Sequence, residues 1–184
     1  MTINHEEMVI LVDEQDRELG LEEKLRAHEL GLLHRAFSVF IFRRNGNIVE
    51  LLLQQRQQYK YHCGGLWTNT CCSHPRAGEN VVAAGQRRLQ EEMGFSSKLE
   101  VAGTFKYRAE FTNGLIEHEY DHVLVGSYKG ESIIVDPLEV QAYNWISVSD
   151  LQSNLVAEPK LYTPWLAKAL EIALTTNVVL PTFI

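Results

Sequence analysis

Apolar residues fall mostly into strand-sized blocks, and helical spacing is clear in only a few places. Met8 to Val12 reads as a short strand, followed by an acidic turn and a short helical piece over Glu22–Leu30 that stops at Gly31. Leu33–Phe42 and Ile48–Gln55 are apolar and strand-length, and the Asn45-Gly46 between them is a strong hairpin signal. Residues 56–79 show no periodicity. The clearest helix is Asn80–Met93: Asn80 suits the N-cap, Val82, Gly85/Gln86, Leu89 and Met93 follow helical spacing, and Gly94 stands where a C-terminal capping glycine belongs. Strands are predicted at Leu99–Arg108, Ile116–Tyr128 and Gln141–Ile146, with turn signals at Asn113-Gly114, Lys129-Gly130 and Asp136-Pro137. The chain closes with helices near Ser149–Leu155 and Thr163–Leu174, the second with Thr163 as cap, Pro164 in the first helical position and Trp165 in the first turn. Hairpins and helices without regular βαβ alternation predict an α/β sandwich on a mixed, largely antiparallel sheet.

Composition adds limits. At 184 residues, 45% hydrophobic and 22% charged, with no repeat or linker-like stretch, the chain reads as one soluble domain, 1–184. No apolar run approaches the ~18–20 residues of a membrane span; the densest, Ala36–Phe42, is interrupted by Ser38. The N-terminal MTINHEEM is polar and acidic, unlike a secretory leader. Seventeen basic against twenty-four acidic residues give a net charge of −7, which argues against nucleic-acid and anionic-membrane partners. Three cysteines, two of them adjacent, form no disulfide framework and point to a reducing, cytoplasmic setting.

Four groups of residues invite chemistry, each beside a plainer reading. The loop TNTCCSHP at Thr68–Pro75 concentrates thiols and an imidazole. Its cysteines suit small buried hydrophobes, a catalytic thiol, or a structural zinc site of Cys63, Cys71, Cys72 and His74 that lacks the paired CxxC of common zinc modules. Strand alternation puts Glu117 and Glu119 on one face and His118 on the other, so the two carboxylates meet either solvent or a cation. His28 and His34 are six residues apart across Gly31 and converge only if the chain bends there. Arg88 and Glu92 share a helix face beside Glu91, as a surface ion pair or as a phosphate fork next to a magnesium carboxylate. Lys24, Arg56 and Lys60 are by default solvated charges, Trp165 a core or lid residue and Tyr107 a strand aromatic.

Taken in order along the chain, EKLRAH (Glu23–His28), LLHRAFSVF (Leu32–Phe40), LWTNTCCSHP (Leu66–Pro75), GENVVAAGQRRLQEEMG (Gly78–Gly94), FKYRAE (Phe105–Glu110), IEHEYDHV (Ile116–Val123) and YTPWL (Tyr162–Leu166) resemble the type I isopentenyl-diphosphate isomerases, a branch of the Nudix-fold superfamily. The resemblance runs from about Met8 to about Trp165 and implies a Nudix-like α/β/α sandwich. It implies that Cys72 is the base on the allylic carbon, that Glu119 and Tyr107 protonate the alkene, and that Trp165 faces the cationic centre. It further implies a divalent metal held by His28, His34, His74, Glu117 and Glu119, a second, magnesium ion brought by the diphosphate to Glu92, and diphosphate held by Lys24, Arg56, Lys60 and Arg88. Nitrogen-rich ligation favours Zn2+ or Mn2+ over Mg2+ at the first metal.

The Nudix box itself is altered. Its frame reads Ser73, Glu79, Arg87, Arg88, Leu89, Gln90, Glu91, Glu92, Met93, Gly94, so Ser73 stands for the opening Gly and Arg88 for a metal carboxylate. That change argues against pyrophosphate hydrolysis of a nucleoside diphosphate derivative, the alternative activity. The expected reaction interconverts isopentenyl and dimethylallyl diphosphate by a 1,3-allylic proton shift, for isoprenoid synthesis, by a metal-dependent monomer or weak dimer with a small-molecule substrate. An unperturbed thiol has a pKa near ~8.5, so a metal, its imidazoles or the magnesium is expected to lower that of Cys72.

Overall fold

The computed structural model describes residues 8–60 and 62–176; the N-terminal segment before Met8 lies outside the described residues. Nine strands among these form one sheet: β1 (Met8–Val12), β2 (Glu18–Glu23), β3 (His34–Asn45), β4 (Ile48–Arg56), β5 (Trp67–Thr68), β6 (Cys71–Ser73), β7 (Leu99–Glu110), β8 (Ile116–Ser127) and β9 (Val140–Ser147). Four α-helices accompany them: α1 (Lys24–Leu30), α2 (Val81–Met93), α3 (Val148–Ala157) and α4 (Leu166–Ala173). The hub is β3, which pairs in parallel with β8 over His34–Phe42. Its other edge is shared by β1 at His34, β6 at Phe37–Val39 and β4 at Phe42–Asn45. The other named pairings are antiparallel, as expected for a sheet built mainly from hairpins. The Asn45-Gly46 turn forms, with Asn45 opposite Ile48 and Gly46 at φ 61°, a conformation that favours glycine.

Strand alternation divides the core into two layers. On β3, Phe40 and Phe42 join Leu51, Leu53, Val123 and Val125 beneath α3 and α4, where Leu151, Leu166, Ala169 and Leu170 complete the cluster. The intervening Phe37, Val39 and Ile41 point the other way, with Leu52 and Leu124, onto Ala84, Leu89 and Met93 of α2. The result is an α/β/α sandwich on a mixed, mainly antiparallel sheet. No helix among the described residues is long and apolar enough to cross a membrane.

Local expectations hold where capping chemistry is explicit. Asn80 accepts from the backbone N–H of Val82 and Ala83 at the start of α2, and Gly94 closes it at φ 77°. Gly31 closes α1 at φ 62°. Three expectations need correction. The acidic turn before α1 is largely strand: β2 pairs with β1, the turn is held by Asp13 accepting from the N–H of Gln15 and Arg17, and α1 starts only at Lys24. The segment 56–79 contains β5 and β6, which borrow their partners from β4 and β3. Finally, α4 begins at Leu166, not after a Thr163 cap, because Thr163 is tied elsewhere: its N–H donates to Trp67 O (3.0 Å) and its hydroxyl meets Thr68 Oγ1 (2.9 Å). Trp165 consequently lies at the N-cap position, outside the first turn.

The end of α2 also places a loop that matters for the site. Ile134 N donates to Met93 O and Asp136 N to Glu92 O, which lays residues 134–139 across the helix terminus. A Cβ added at Gly94 would lie 2.3 Å from Ile134 O. Gly94→Ala is therefore expected to cost at least about 2 kcal/mol, from left-handed strain plus the collision, and to lower the melting temperature by several degrees. An unchanged melting curve would contradict this cap.

Candidate active site

The face of the sheet that is apolar under α4 turns polar toward the other end of the same strands. Continuing from Phe42 and Phe40, the in-phase positions of β3 are Ser38, Ala36 and His34; from Val125 and Val123, those of β8 are Asp121, Glu119 and Glu117. His34 pairs in register with Glu119, and Glu119 with Tyr107 of β7. Glu117, Glu119 and Asp121 are buried, so the solvated-edge reading of these carboxylates fails; His118 points away and meets Gly31 O.

Gly31 supplies the bend that brings His28 of α1 back over His34, with ring centroids 4.9 Å apart. His74, from the loop after β6, completes the group. Ligand atoms of His28, His34, His74 and Glu117 lie within 4.8 Å of one another. Two imidazoles are oriented by backbone: Nδ1 of His28 donates to Lys24 O (2.5 Å) and Nδ1 of His34 to Leu32 O (2.8 Å). This is how metal-binding histidines are commonly held; the Nε2 of His34 is left for an ion, while that of His28 lies 3.0 Å from Glu117 Oε1. Burial lowers His34 to a pKa of about 4, so its Nε2 is a bare lone pair. That atom has no hydrogen-bond partner, nor has Glu117 Oε2, 3.8 Å away. Two facing acceptors buried without a donor fit a shared cation. Glu119 stands beside this group, with Oε1 3.0 Å from His74 Nε2 and 3.8 Å from His34 Nε2.

Glu119 faces the other way as well: Tyr107 Oη donates to its Oε2 at 2.5 Å. Burial and the neighbouring Glu117 and Asp121 push the Glu119 carboxyl well above the usual range. Burial acts on Glu117 too, but hydrogen bonds from His28 and His62 outweigh it and hold this carboxyl low. The polypeptide alone thereby pushes the two carboxyls apart, Glu119 toward its protonated form and Glu117 toward its charged one. Trp165 is buried, with its Nε1 donating to Asn69 Oδ1 (3.2 Å) and its ring 5.8 Å from that of Tyr107.

Alternation in β6 separates the paired thiols. Cys71 is fully buried in the α2 layer, while Cys72 pairs with Ser38 and faces the cavity. No cysteine joins the histidine cluster among the described residues, so the structural-zinc reading with Cys63, Cys71 and Cys72 is not supported. The expected lowering of the Cys72 pKa is not met by the polypeptide alone. Burial drives it up to about 12, and the opposing cation is Arg56, whose Nη1 lies 3.6 Å from Sγ.

Cys72, Glu119, Tyr107 and Trp165 line one cavity of about 450 Å³, together with Lys24, Arg56, Lys60 and Arg88. Burial and the charges of Lys60, Arg56 and Arg88 lower the Lys24 pKa, so these cations crowd one another. An anion relieves that repulsion. Glu139, from the loop laid over α2, bridges Lys60 and Arg88. Glu92 is placed differently from expectation: it sits below the lining, accepting from Arg88 Nη2 (2.5 Å) and Gln54 Nε2 (3.0 Å), while Glu91 lines the cavity. The sequence reading passed over His62, whose Nε2 lies 2.5 Å from Glu117 Oε1, and also Asp121, Asn69 and Glu139. Only the KYHC run of residues 60–63, with an imidazole beside a thiol, could have drawn attention to the first.

The NUDIX domain model matches residues 32–166. An isopentenyl-diphosphate Delta-isomerase of Photobacterium profundum is 51% identical over 168 residues, covering 90% of this chain and 93% of its own length. One of Burkholderia multivorans is 51% identical over 160 residues, covering 87% and 89%. Among solved structures, a Deinococcus radiodurans protein superposes with a TM-score of 0.72 at 17% identity, over 91% of this chain and 99% of the other. A MutT protein of Methanosarcina mazei gives 0.61 at 19%, over 76% and 91%. At such identities the structural matches establish the fold alone.

The buried neutral His34 makes stability depend on pH. Its folded pKa of about 4 lies below the unfolded value of ~6.5, so the unfolded chain takes up a proton first as pH falls. In chelator-treated protein this group's contribution is complete above pH ~6.5 and is lost toward pH 4, by up to about 3 kcal/mol. Urea midpoints measured from pH 7 to pH 4 are expected to fall less steeply in His34→Gln than in the parent; parallel profiles would contradict the assignment.

Proposed function

The chain belongs to the NUDIX family and, within it, to the isopentenyl-diphosphate Delta-isomerases, and it interconverts isopentenyl and dimethylallyl diphosphate; we propose that it does so with Cys72 as the base and the Glu119–Tyr107 pair as the acid. The observation that carries this assignment is the single cavity onto which Cys72, Glu119, Tyr107, Trp165 and four basic side chains open. In the forward direction the terminal alkene carbon gains a proton, positive charge builds at the branched carbon, and the carbon nearer the diphosphate loses a proton. A simple alkene is a very weak base, so the acid must be strong, well aimed and sheltered from water.

A raised Glu119 carboxyl hydrogen-bonded to Tyr107 supports proton delivery from this pair. Trp165, its indole fixed through Asn69, offers a π face to the developing cation, worth about 2 kcal/mol when desolvated. Cys72 removes the second proton as a thiolate, for which Arg56 is the adjacent counter-charge. One positioned acid or base typically contributes ~10²–10⁴-fold, so positioning by the remote diphosphate is needed in addition. Lys24, Arg56, Lys60 and Arg88 are suited to that anion.

His28, His34, His74, Glu117 and Glu119 would hold a divalent ion, with Zn2+ or Mn2+ suited to three imidazoles. Such an ion would supply positive charge beside Glu119, lowering its raised pKa and making the Glu119–Tyr107 pair a stronger acid. Glu92, beneath the cavity lining, would hold the magnesium that accompanies the diphosphate only once Arg88 Nη2 releases it. Residues 1–184 are read as one isomerase domain, and three free thiols suit a reducing compartment such as the cytoplasm. Pyrophosphate hydrolysis is disfavoured because Arg88 takes up Glu91 and Glu92, two of the three carboxylates left in the altered box, and Arg87 takes up the third, Glu79.

In heavy water with Mg2+, the protein is expected to introduce deuterium into either five-carbon diphosphate while interconverting them, as read by proton NMR. Cys72→Ala should lower turnover by ~10²–10⁴-fold or more with an unchanged circular-dichroism melt. Near-normal turnover would remove Cys72 from the mechanism. A panel of nucleoside diphosphate derivatives should release no phosphate or pyrophosphate above background; release that depends on Glu91 and is indifferent to Cys72 would favour the hydrolase instead.

A further inference from the structure

We propose that His62 is a positioning residue that sets the orientation of Glu117 and thereby completes the histidine–carboxylate cluster. The inference rests on the reading that this cluster holds a divalent ion. His62 lies in the irregular segment between β4 and β5 and is 7% exposed. Its Nε2 approaches Glu117 Oε1 to 2.5 Å. A carboxylate oxygen only accepts, so the imidazole N–H is the donor. His62 is not one of the four residues whose ligand atoms converge within 4.8 Å, so it acts on the carboxylate from outside the group.

The consequence is geometric. With Oε1 engaged by His62 and His28, Oε2 of Glu117 is turned to His34 Nε2, and neither of those two atoms has a hydrogen-bond partner. Loss of the His62 donor would free the carboxylate to rotate away from the position in which it faces the lone pair of His34. Outer partners of this kind typically account for 10–100-fold in metal affinity or activity.

The His62 ring is itself held. It stacks on Phe111 with the planes 3° apart and centroids 4.9 Å apart, and it meets the Trp165 ring edge-to-face at 6.3 Å. Arg56 Nη2 also approaches the His62 carbonyl at 3.4 Å. Phe111 closes the β7–β8 turn, where its N–H donates to Leu115 O. His62 therefore ties the cluster to the aromatic wall and to a diphosphate-facing arginine.

Three variants test this by Zn2+ and Mn2+ titration against a chromogenic chelator, with kcat, KM and metal-free melting measured on each. His62→Phe keeps the aromatic stack and removes the donor. It is expected to weaken metal binding by 10–100-fold and lower kcat similarly, with KM for isopentenyl diphosphate within about threefold, while the metal-free melt falls by the few degrees that one lost hydrogen bond to a buried carboxylate costs. His62→Gln, which offers an N–H at the Nε2 position, should recover most of both losses. His34→Ala serves as a ligand deletion and should lose more affinity than His62→Phe. Parental metal affinity in His62→Phe or failure of Gln to recover it would each overturn the proposal. So would a loss as deep as that of His34→Ala, which would make His62 a ligand. Unaltered metal binding in His34→Ala would instead sink the metal reading beneath it.

Discussion

Two acceptors face each other in a dry pocket: the bare Nε2 of His34 and the Oε2 of Glu117, 3.8 Å apart and without a donor between them. Leaving two such groups buried costs free energy that a cation recovers. The elements around them are arranged to keep this opposition in place. Leu32 and Lys24 carbonyls orient the rings of His34 and His28, Gly31 turns α1 onto the sheet, and His62 engages the other oxygen of Glu117.

The same sheet face also separates carboxyls of identical chemistry. Glu117 keeps its charge because imidazoles donate to it, whereas Glu119, two residues on, is pushed toward its protonated form by burial and by the charges of Glu117 and Asp121. Opposite protonation preferences of two like carboxyls therefore follow from position along one strand. On the other side, Arg56 stands between the thiol of Cys72 and the cations that line the same cavity. The net charge of −7 hides this local basicity, which Glu139 tempers by bridging Lys60 and Arg88.

The NUDIX scaffold accommodates this chemistry through a small change in its helix. Where the box frame calls for a carboxylate, Arg88 pairs with Glu91 and Glu92 and faces the cavity. A helix suited to carry acidic metal ligands becomes one that presents a cation to an anionic group. The altered frame was readable in the residues, but the burial of Glu92 beneath Arg88 and Gln54 was not.

Patterns confined to neighbouring residues were legible in the chain itself. The alternation of β3, β4 and β8, the Asn45-Gly46 turn, the caps at Asn80 and Gly94, and the common face of Glu117 and Glu119 all follow from local backbone geometry and period-2 or 3.6 spacing. The order of the cysteine, histidine and glutamate segments likewise carried the family resemblance. Tertiary structure alone decided what those faces meet. Whether Glu117 and Glu119 see water, why α4 starts late, which thiol opens on the cavity and why His62 matters depend on partners far away in the chain. Burial and hydrogen bonding set the charge of each group, and both are fixed only when distant segments pack together.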